Sequence, residues 1–128
     1  MRLDHLAVWT KDLGRLRDFY ERYFEARAGA RYDSTRQPGF SSCFLAFPGD
    51  EGRLELMTLP TLDAAGSNPT LGYAHIAIGV GSRGGVDRLA ARMEADGVPI
   101  VSRPRQTGDG YYEAVVKDPD GNLVEITV

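Results

Sequence analysis

The chain has 128 residues, of which 42% are hydrophobic and 26% are charged, with a formal net charge of −3 and a pI of about 5.3. This length and composition predict one folded domain and exclude global disorder. There is no basic excess for nucleic acid, no apolar run of the roughly 20 residues that a membrane helix needs, and only one cysteine, Cys43. We therefore expect a cytoplasmic protein without an intrachain disulfide, which binds neither nucleic acid nor membranes.

The first half, about residues 1–59, predicts the order β-α-β-β-β. Alternating residues indicate a strand over 3–10, and Asp12 is a candidate N-cap for a helix over 13–26. Apolar residues at three- and four-residue spacing give this helix one buried stripe. The stripe is formed by Leu13, Leu16, Phe19, Tyr20, Tyr23 and Phe24. The remaining predicted strands are 28–32, 40–47 and 53–59.

A linker at 60–71, rich in turn-forming residues, separates this half from a second half at 72–128. The second half predicts the same order of elements. Its helix covers 82–96 and ends at Gly97, which suits the position after a helix C-terminus. The predicted strands are 72–80, 98–102, 111–117 and 123–128, with a loop at 104–110. The fold class is therefore α+β, built from two β-α-β-β-β modules.

A segment that recurs 70 positions later pairs the only two histidines, His5 and His75, and the same offset links Glu55 with Glu125. In each strand the polar residue lies on the face opposite its apolar neighbours, so we expect all four to point into the concavity of a curved sheet. Two imidazoles and two carboxylates suit a divalent metal ion, and carboxylates left in a cleft without a cation would be costly. The alternative, four ordinary structural or solvated residues, has to account for one repeated spacing.

These features resemble the vicinal oxygen chelate superfamily, the glyoxalase, bleomycin-resistance and dioxygenase proteins. The resemblance covers essentially the whole chain and rests on His5, Tyr73-Ala74-His75-Ile76-Ala77, and Asp118-Pro119-Asp120-Gly121-Asn122 before the strand with Glu125. It implies a single domain over 1–128 whose two modules form a curved mixed sheet around a cleft. It also implies a homodimer with shared sites, in which His5 and Glu55 of one chain meet His75 and Glu125 of the other.

Within the superfamily, the set of His5, Glu55, His75 and Glu125 is most similar to glyoxalase I. The thiol-transfer and ring-cleaving branches use a His-His-Glu trio. The resemblance implies an isomerase or lyase in which zinc, nickel, cobalt, manganese or iron chelates two neighbouring oxygens of a small-molecule substrate. Proton loss beside a carbonyl then gives an enediolate on the metal, with Glu125 as general base and Glu55 as ligand or second base. The alternatives are a ligand-sequestering protein of the bleomycin-resistance type and a metal-dependent dioxygenase.

Three further residues are candidates for the substrate pocket: Trp9, Arg103 and Tyr112. Trp9 shares a face with His5 and suggests an apolar wall, and core packing explains it equally well. Arg103 offers a cation to an anionic substrate or is a solvated surface residue, and Tyr112 lines the cleft or packs within its strand. By the resemblance, glyoxalase I has Arg and Asn, both contacting glutathione, at the positions of Trp9 and Leu59. The sequence therefore does not predict glutathione as the thiol.

Overall fold

The computed structural model describes residues 3–62, 72–108 and 110–128 of the chain. Packing within the chain separates two compact units, Met1–Ala65 and Gly66–Val128. Most of the predicted linker at 60–71 lies outside the described residues. Neither helix in the described ranges has the length and hydropathy needed to cross a membrane. Cytoplasmic localisation stays a prediction.

The first unit contains one helix and five strands within its described residues. In chain order they are β1 (His5–Trp9), α1 (Leu13–Phe24), β2 (Arg27–Ala28), β3 (Tyr32–Asp33), β4 (Ser41–Ala46) and β5 (Arg53–Thr58). The sheet has the order β1-β5-β4-β2, and β3 also pairs with β4. Only β1 and β5 pair in parallel, so the first and last strands of the unit lie side by side.

Helix α1 packs on this sheet through the predicted apolar stripe. Asp12 is its N-cap, as predicted, and its carboxylate accepts a hydrogen bond from the backbone N–H of Arg15 at 2.9 Å. All six predicted stripe residues are buried, together with Leu45, Leu54 and Leu56 of the sheet. The helix ends two residues earlier than predicted, because Glu25 adopts a left-handed conformation with φ of 55°.

The strand predicted at 28–32 is wrong as one continuous element. The structure has two short strands instead, β2 and β3, which both pair with β4. Their register on β4 shifts by one residue between Ala28 and Tyr32, because the chain bulges over the intervening residues. Gly29 still donates a backbone hydrogen bond to the carbonyl of Phe44 at 2.8 Å. The sequence preference for a strand was correct only at the two ends of the segment.

The second unit repeats the plan with one helix and four strands within its described residues. They are β6 (Ile76–Gly79), α2 (Arg83–Ala95), β7 (Ile100–Gln106), β8 (Tyr112–Lys117) and β9 (Leu123–Thr127). The sheet order is β6-β9-β8-β7, and again only the first and last strands, β6 and β9, pair in parallel. The core between α2 and the sheet consists of Val86, Ala90, Met93, Ala114, Val116, Val124 and Ile126. The predicted α+β class and the order of its elements are confirmed.

The predicted loop at 104–110 begins three residues too early, because β7 continues to Gln106. Pro104 suggested a break, since proline cannot donate to a strand ladder. β7 is an edge strand, and its register on β8 shifts between Ser102 and Arg105. An irregular edge strand accommodates proline without the loss of a ladder hydrogen bond.

The turn between β8 and β9 is organised by the buried side chain of Asp118. One carboxylate oxygen accepts from the backbone N–H groups of Asp120 and Asn122, each at 2.9 Å, and the other accepts from the side-chain amide of Asn122 at 2.9 Å. Gly121 takes φ of 86°, which favours glycine. This turn fixes the register of β9 on β8, and therefore the position of Glu125.

Candidate functional site

The parallel pairing of β1 and β5 brings His5 and Glu55 together in the first unit. Glu55 lies directly opposite Ala7, so His5 reaches it diagonally across the two strands. The Nε2 atom of His5 lies 3.7 Å from Oε2 of Glu55. The Glu55 side chain is 17% exposed and that of His5 is 39% exposed. The pair is therefore accessible, with its carboxylate the more shielded partner.

The second unit builds the same arrangement from His75 and Glu125. Glu125 lies directly opposite Ala77, and His75 immediately precedes β6. The Nε2 atom of His75 lies 3.5 Å from Oε2 of Glu125, whose side chain is 16% exposed. Each predicted histidine is thus close to the predicted glutamate of its own half, with the same atoms facing each other in both units.

The donor atoms in each pair fit a shared divalent ion. Two donors that bind one zinc ion at about 2.1 Å lie roughly 3.0 to 3.4 Å apart in right-angled to tetrahedral geometry. The observed separations of 3.7 Å and 3.5 Å are close to that range. Imidazole nitrogen and carboxylate oxygen are also ligands that zinc, nickel, cobalt, manganese and iron accept. The chemistry of the residues therefore fits the predicted metal.

Among its described residues, neither unit supplies a complete set of ligands by itself. Within each unit's described residues, no group of three or more His, Cys, Asp and Glu side chains is positioned to hold a metal ion.

Sequence analysis missed three side chains around His5. Asp4 Oδ2 lies 3.0 Å from Nδ1 of His5 and accepts a hydrogen bond from Nη2 of Arg53 at 2.6 Å. The guanidinium of Arg53 lies over the ring of Phe44, 4.4 Å from its centroid, and Phe44 makes an edge contact with the imidazole of His5 at 5.3 Å. The available signal was the parallel pairing of the first and last strands, which places Arg53 opposite His5.

Trp9 lies on the same face of β1 as His5 and is 46% exposed. It makes an edge contact with Phe40 at 6.2 Å between ring centroids. Its exposure shows that it is not a buried core residue of its unit. An apolar surface therefore continues along the face that carries His5.

Arg103 and Tyr112 both contact helix α2. Nη1 of Arg103 donates to Oε2 of Glu94 at 3.0 Å, and the Tyr112 hydroxyl donates to Oδ1 of Asp87 at 2.6 Å. The hydrogen bond to Asp87 holds the pKa of the Tyr112 phenol above its ordinary value of 10.0. Packing against the helix explains these contacts without a ligand. The role of Arg103 and Tyr112 in a substrate pocket therefore stays a prediction.

The face of the second sheet that carries Glu125 holds a further ion pair. Glu113 lies on that face, because Val115 is directly opposite Glu125 and Glu113 is two residues from it on β8. Nη2 of Arg105 lies 3.5 Å from Oε1 of Glu113, whose side chain is 12% exposed. Arg105 is thus an arginine on the same sheet face as Glu125.

A cavity of about 330 Å³ lies at the end of β5, the strand that carries Glu55. Its walls are mostly apolar or small, and Lys11 is the charged residue among them. They comprise Lys11, Gly39, Thr58, Leu59, Pro60 and Leu62. Leu59, one of the two positions where the sequence departs from the glutathione contacts of glyoxalase I, is therefore part of a cavity wall.

Comparison with known proteins agrees with this architecture. The sequence model of the Glyoxalase/Bleomycin resistance protein/Dioxygenase superfamily matches residues 2–126. The uncharacterized protein PA2024 of Pseudomonas aeruginosa is 35% identical over 133 residues, covering 98% of this chain and 86% of its own.

Solved structures similar to this chain include glyoxalase I enzymes. Glyoxalase I from Zea mays has a TM-score of 0.80 and 26% identity, over 98% of this chain and 44% of its own, so the chain spans less than half of the maize protein. The trypanothione-dependent glyoxalase I of Leishmania major has a TM-score of 0.77 and 28% identity, over 99% of this chain and 86% of its own. A glyoxalase/bleomycin resistance protein/dioxygenase domain from Frankia, with a TM-score of 0.85 and 16% identity over 100% of this chain and 97% of its own, shares the fold.

Proposed function

This chain belongs to the Glyoxalase/Bleomycin resistance protein/Dioxygenase superfamily, and on that premise we propose that it is a metal-dependent enzyme of the glyoxalase I type. The proposed reaction is the isomerisation of a small substrate that carries oxygens on two neighbouring carbons. The proposed metal ligands are His5, Glu55, His75 and Glu125.

The observation that carries the proposal is the repeated contact between an imidazole Nε2 and a carboxylate Oε2. The distances are 3.7 Å in the first unit and 3.5 Å in the second. A carboxylate oxygen can only accept, and a neutral imidazole nitrogen that carries no hydrogen can only accept as well. With the imidazole hydrogen on Nδ1, two acceptors face each other, and they need a positive species between them. A divalent ion satisfies both pairs at once when the pairs face the same point.

A proton is the other species that could fill this role. A neutral imidazole with its hydrogen on Nε2, or an imidazolium, would donate from Nε2 to the carboxylate and form an ordinary exposed contact, which stabilises a protein little. That explanation gives no reason for the same pair at the same register in both units. A single ion held by both pairs does give one, and this supports the metal.

The bound metal would supply Lewis-acid stabilisation of negative charge on the substrate oxygens. Glu125 would act as the general base, removing a proton from the carbon next to the carbonyl and returning it to the neighbouring carbon. The substrate would thus be isomerised without a net change in its atoms. Glu55 would serve as a ligand or a second base. The side chains of both glutamates are about one sixth exposed, so each is shielded and still reachable.

Trp9 at the end of β1 and Leu59 just after β5 favour an apolar group on the substrate. Trp9 is half exposed on the His5 face, and Leu59 lines a cavity at the end of β5. Neither residue can replace the hydrogen bonds or charge with which Arg and Asn would bind glutathione. We therefore expect a substrate whose group beside the reacting oxygens is apolar, with Lys11 as the cation of the cavity wall.

The proposed assembly is a homodimer in which each site takes His5 and Glu55 from one chain and His75 and Glu125 from the other. Support comes from the division of the ligands into two pairs, since neither unit's described residues assemble three candidate ligands. A dimer with two-fold symmetry would create two equivalent sites from these pairs.

The decisive experiment measures bound metal and turnover in the same preparation. We expect freshly purified protein to contain a divalent metal, and metal-loaded protein to convert hemithioacetals formed from methylglyoxal and a panel of thiols. Stripping the metal with a chelator should abolish turnover, and zinc, nickel, cobalt, manganese or iron should restore it. The control is the double variant His5→Ala/His75→Ala, which should bind no metal.

Two other outcomes would replace the proposal. Protein that binds a small molecule tightly but holds no metal would be a sequestering protein. Oxygen uptake with catechols in the iron- or manganese-loaded protein would identify a dioxygenase.

A further inference from the structure

The imidazole of His5 is contacted on two sides by neighbouring side chains, apart from its contact with Glu55. Asp4 Oδ2 is 3.0 Å from Nδ1, and the edge-on ring of Phe44 lies against the imidazole. Arg53 contacts both residues, because it donates a hydrogen bond to the same Asp4 oxygen and lies over the Phe44 ring. We call Asp4, Phe44 and Arg53 the His5 brace.

The contact with Asp4 selects one tautomer of the neutral His5 imidazole, the one with its hydrogen on Nδ1. The Asp4 carboxylate accepts hydrogen bonds and cannot donate one, so the contact is favourable when Nδ1 carries the hydrogen. The hydrogen is then absent from Nε2, whose lone pair faces Glu55. A histidine that binds a metal through Nε2 needs this same form, and a carboxylate on its other nitrogen fixes both the form and the ring orientation.

At the corresponding described positions, the second unit has no equivalent of this brace. The positions that correspond to Asp4 and Arg53 by the 70-residue repeat hold Ala74 and Leu123. Val115 lies directly opposite Glu125, where Phe44 lies opposite Glu55 in the first unit. None of these three side chains can accept a hydrogen bond from the imidazole of His75. The two His–Glu pairs therefore have similar distances, and they differ in the side chains that contact the histidine.

We propose that Asp4 is a positioning residue, which holds His5 ready to bind metal through Nε2, so that His5 and Glu55 form the preorganised half of the metal site. The pair of His75 and Glu125 is the adaptable half, because Ala74 stands where the first unit has Asp4. The proposal rests on the metal site assigned under Proposed function. It goes beyond it by giving the two pairs unequal roles.

An ordinary structural role for Asp4 is the competing explanation. The Asp4–Arg53 ion pair joins β1 to β5 at their ends, and exposed pairs of this kind contribute little to stability. A purely structural tie would leave the form of the His5 imidazole and the metal affinity unchanged when it is removed. The two roles are therefore separable by experiment.

The first measurement uses metal-free protein and does not depend on the proposed function. Long-range ¹H–¹⁵N NMR at a pH where both imidazoles are neutral reports which nitrogen of each histidine carries the hydrogen. We expect His5 to carry it on Nδ1 in the wild type and to shift towards Nε2 in Asp4→Ala. His75 should be unaffected. Asp4→Asn keeps an accepting oxygen and should give an intermediate result, and it also serves if Asp4→Ala does not fold.

The second measurement is the affinity for Zn²⁺ or Co²⁺, determined by competition with a chelator. Loss of a carboxylate that orients a histidine ligand weakens metal binding about 10- to 100-fold, and we expect this loss in Asp4→Ala. The matched control is Asp18→Ala, which removes an exposed aspartate paired with Arg17 at 2.7 Å on α1 and should retain wild-type affinity. Urea unfolding should show similar stability for the two variants.

Wild-type metal affinity in Asp4→Ala together with an unchanged His5 imidazole would overturn the inference. If wild-type protein binds no metal, the proposed function fails. The NMR result on the metal-free protein still decides whether Asp4 holds the His5 imidazole.

Discussion

Glu55 and Glu125 occupy the same position in two separate sheets. Each lies directly opposite an alanine of the adjacent parallel strand, and each faces the Nε2 atom of a histidine at 3.7 Å or 3.5 Å. Geometry within the pairs therefore does not distinguish the two carboxylates. Their surroundings do, because Phe44 lies opposite Glu55 on the neighbouring strand and the smaller Val115 lies opposite Glu125. We propose Glu125 as the general base because the residue opposite it is the smaller of the two.

We expect Glu125→Gln to lower kcat by at least about 100-fold, because a general base contributes roughly 10²- to 10⁴-fold and an amide cannot take up the proton. Steady-state kinetics with metal-loaded protein measures this effect. The matched control is Glu113→Gln, which changes a similarly shielded carboxylate on the same sheet face and should keep turnover near that of the wild type. Equal losses in the two variants would show that charge on this face, rather than Glu125, is what turnover requires.

Mixed dimers test whether the sites are shared between chains. One chain carries His5→Ala/Glu55→Ala and the other carries His75→Ala/Glu125→Ala, and each is inactive alone. With sites shared between chains, a mixed dimer contains one site with all four proposed ligands intact. Each mixed dimer should therefore have about half the activity of a wild-type dimer. Sites formed within one chain would each lack two ligands, and mixtures would stay inactive. Activity is measured after unfolding and refolding the chains together, with each chain refolded alone as the control.

We expect Trp9→Ala to raise KM about tenfold with little change in kcat. Trp9 is half exposed on the His5 face, where it offers apolar surface to bound substrate, and a tenfold change corresponds to about 1.4 kcal/mol of lost binding. Trp9→Phe keeps part of that surface and should give a smaller effect. If instead kcat falls and KM is unchanged, Trp9 acts on the reaction step and not on substrate binding.

The pH dependence of stability should report the contact between Tyr112 and Asp87. Because the hydrogen bond raises the pKa of Tyr112 above 10.0, its stabilising effect is fully present below pH 10 and is lost as the pH rises through the folded-state pKa. The free energy of unfolding of the wild type should therefore exceed that of Tyr112→Phe at neutral pH, and the difference should shrink above pH 10. Urea denaturation from pH 7 to 11 measures it. Tyr111→Phe, at the exposed neighbouring position, is the control and should show no such narrowing.

The order of elements was predictable because the periodic apolar residues decide it. The apolar stripe of α1 and the alternating apolar residues of β5 and β9 are buried as the sequence indicates, and each histidine lies close to the glutamate of its own half. The interrupted strand before β4 was not predictable, because a one-residue shift in register leaves no mark in the spacing of apolar residues. Similarly, the continuation of β7 through Pro104 depends on its position at the edge of the sheet.

The brace around His5 was missed for a different physical reason. Asp4 is adjacent to His5 in the sequence, but its significance depends on Arg53, which is 49 positions away and opposite His5 only through the parallel pairing of β1 and β5. Charged residues at strand ends are usually solvated, and their pattern carries no periodic signal. Contacts of this kind require coordinates, whereas the proposed ligands were identified from the repeat alone.

The turn stabilised by Asp118 limits what the sequence motif at residues 118–122 indicates about function. The carboxylate of Asp118 is occupied with backbone and amide groups of the turn, so this residue has a structural role. A motif whose first residue stabilises a turn identifies the fold, and it does not indicate the ligand or the reaction. A sequence search with this motif should find proteins that share the fold and catalyse different reactions. The residues that line each cleft are then needed to tell those proteins apart.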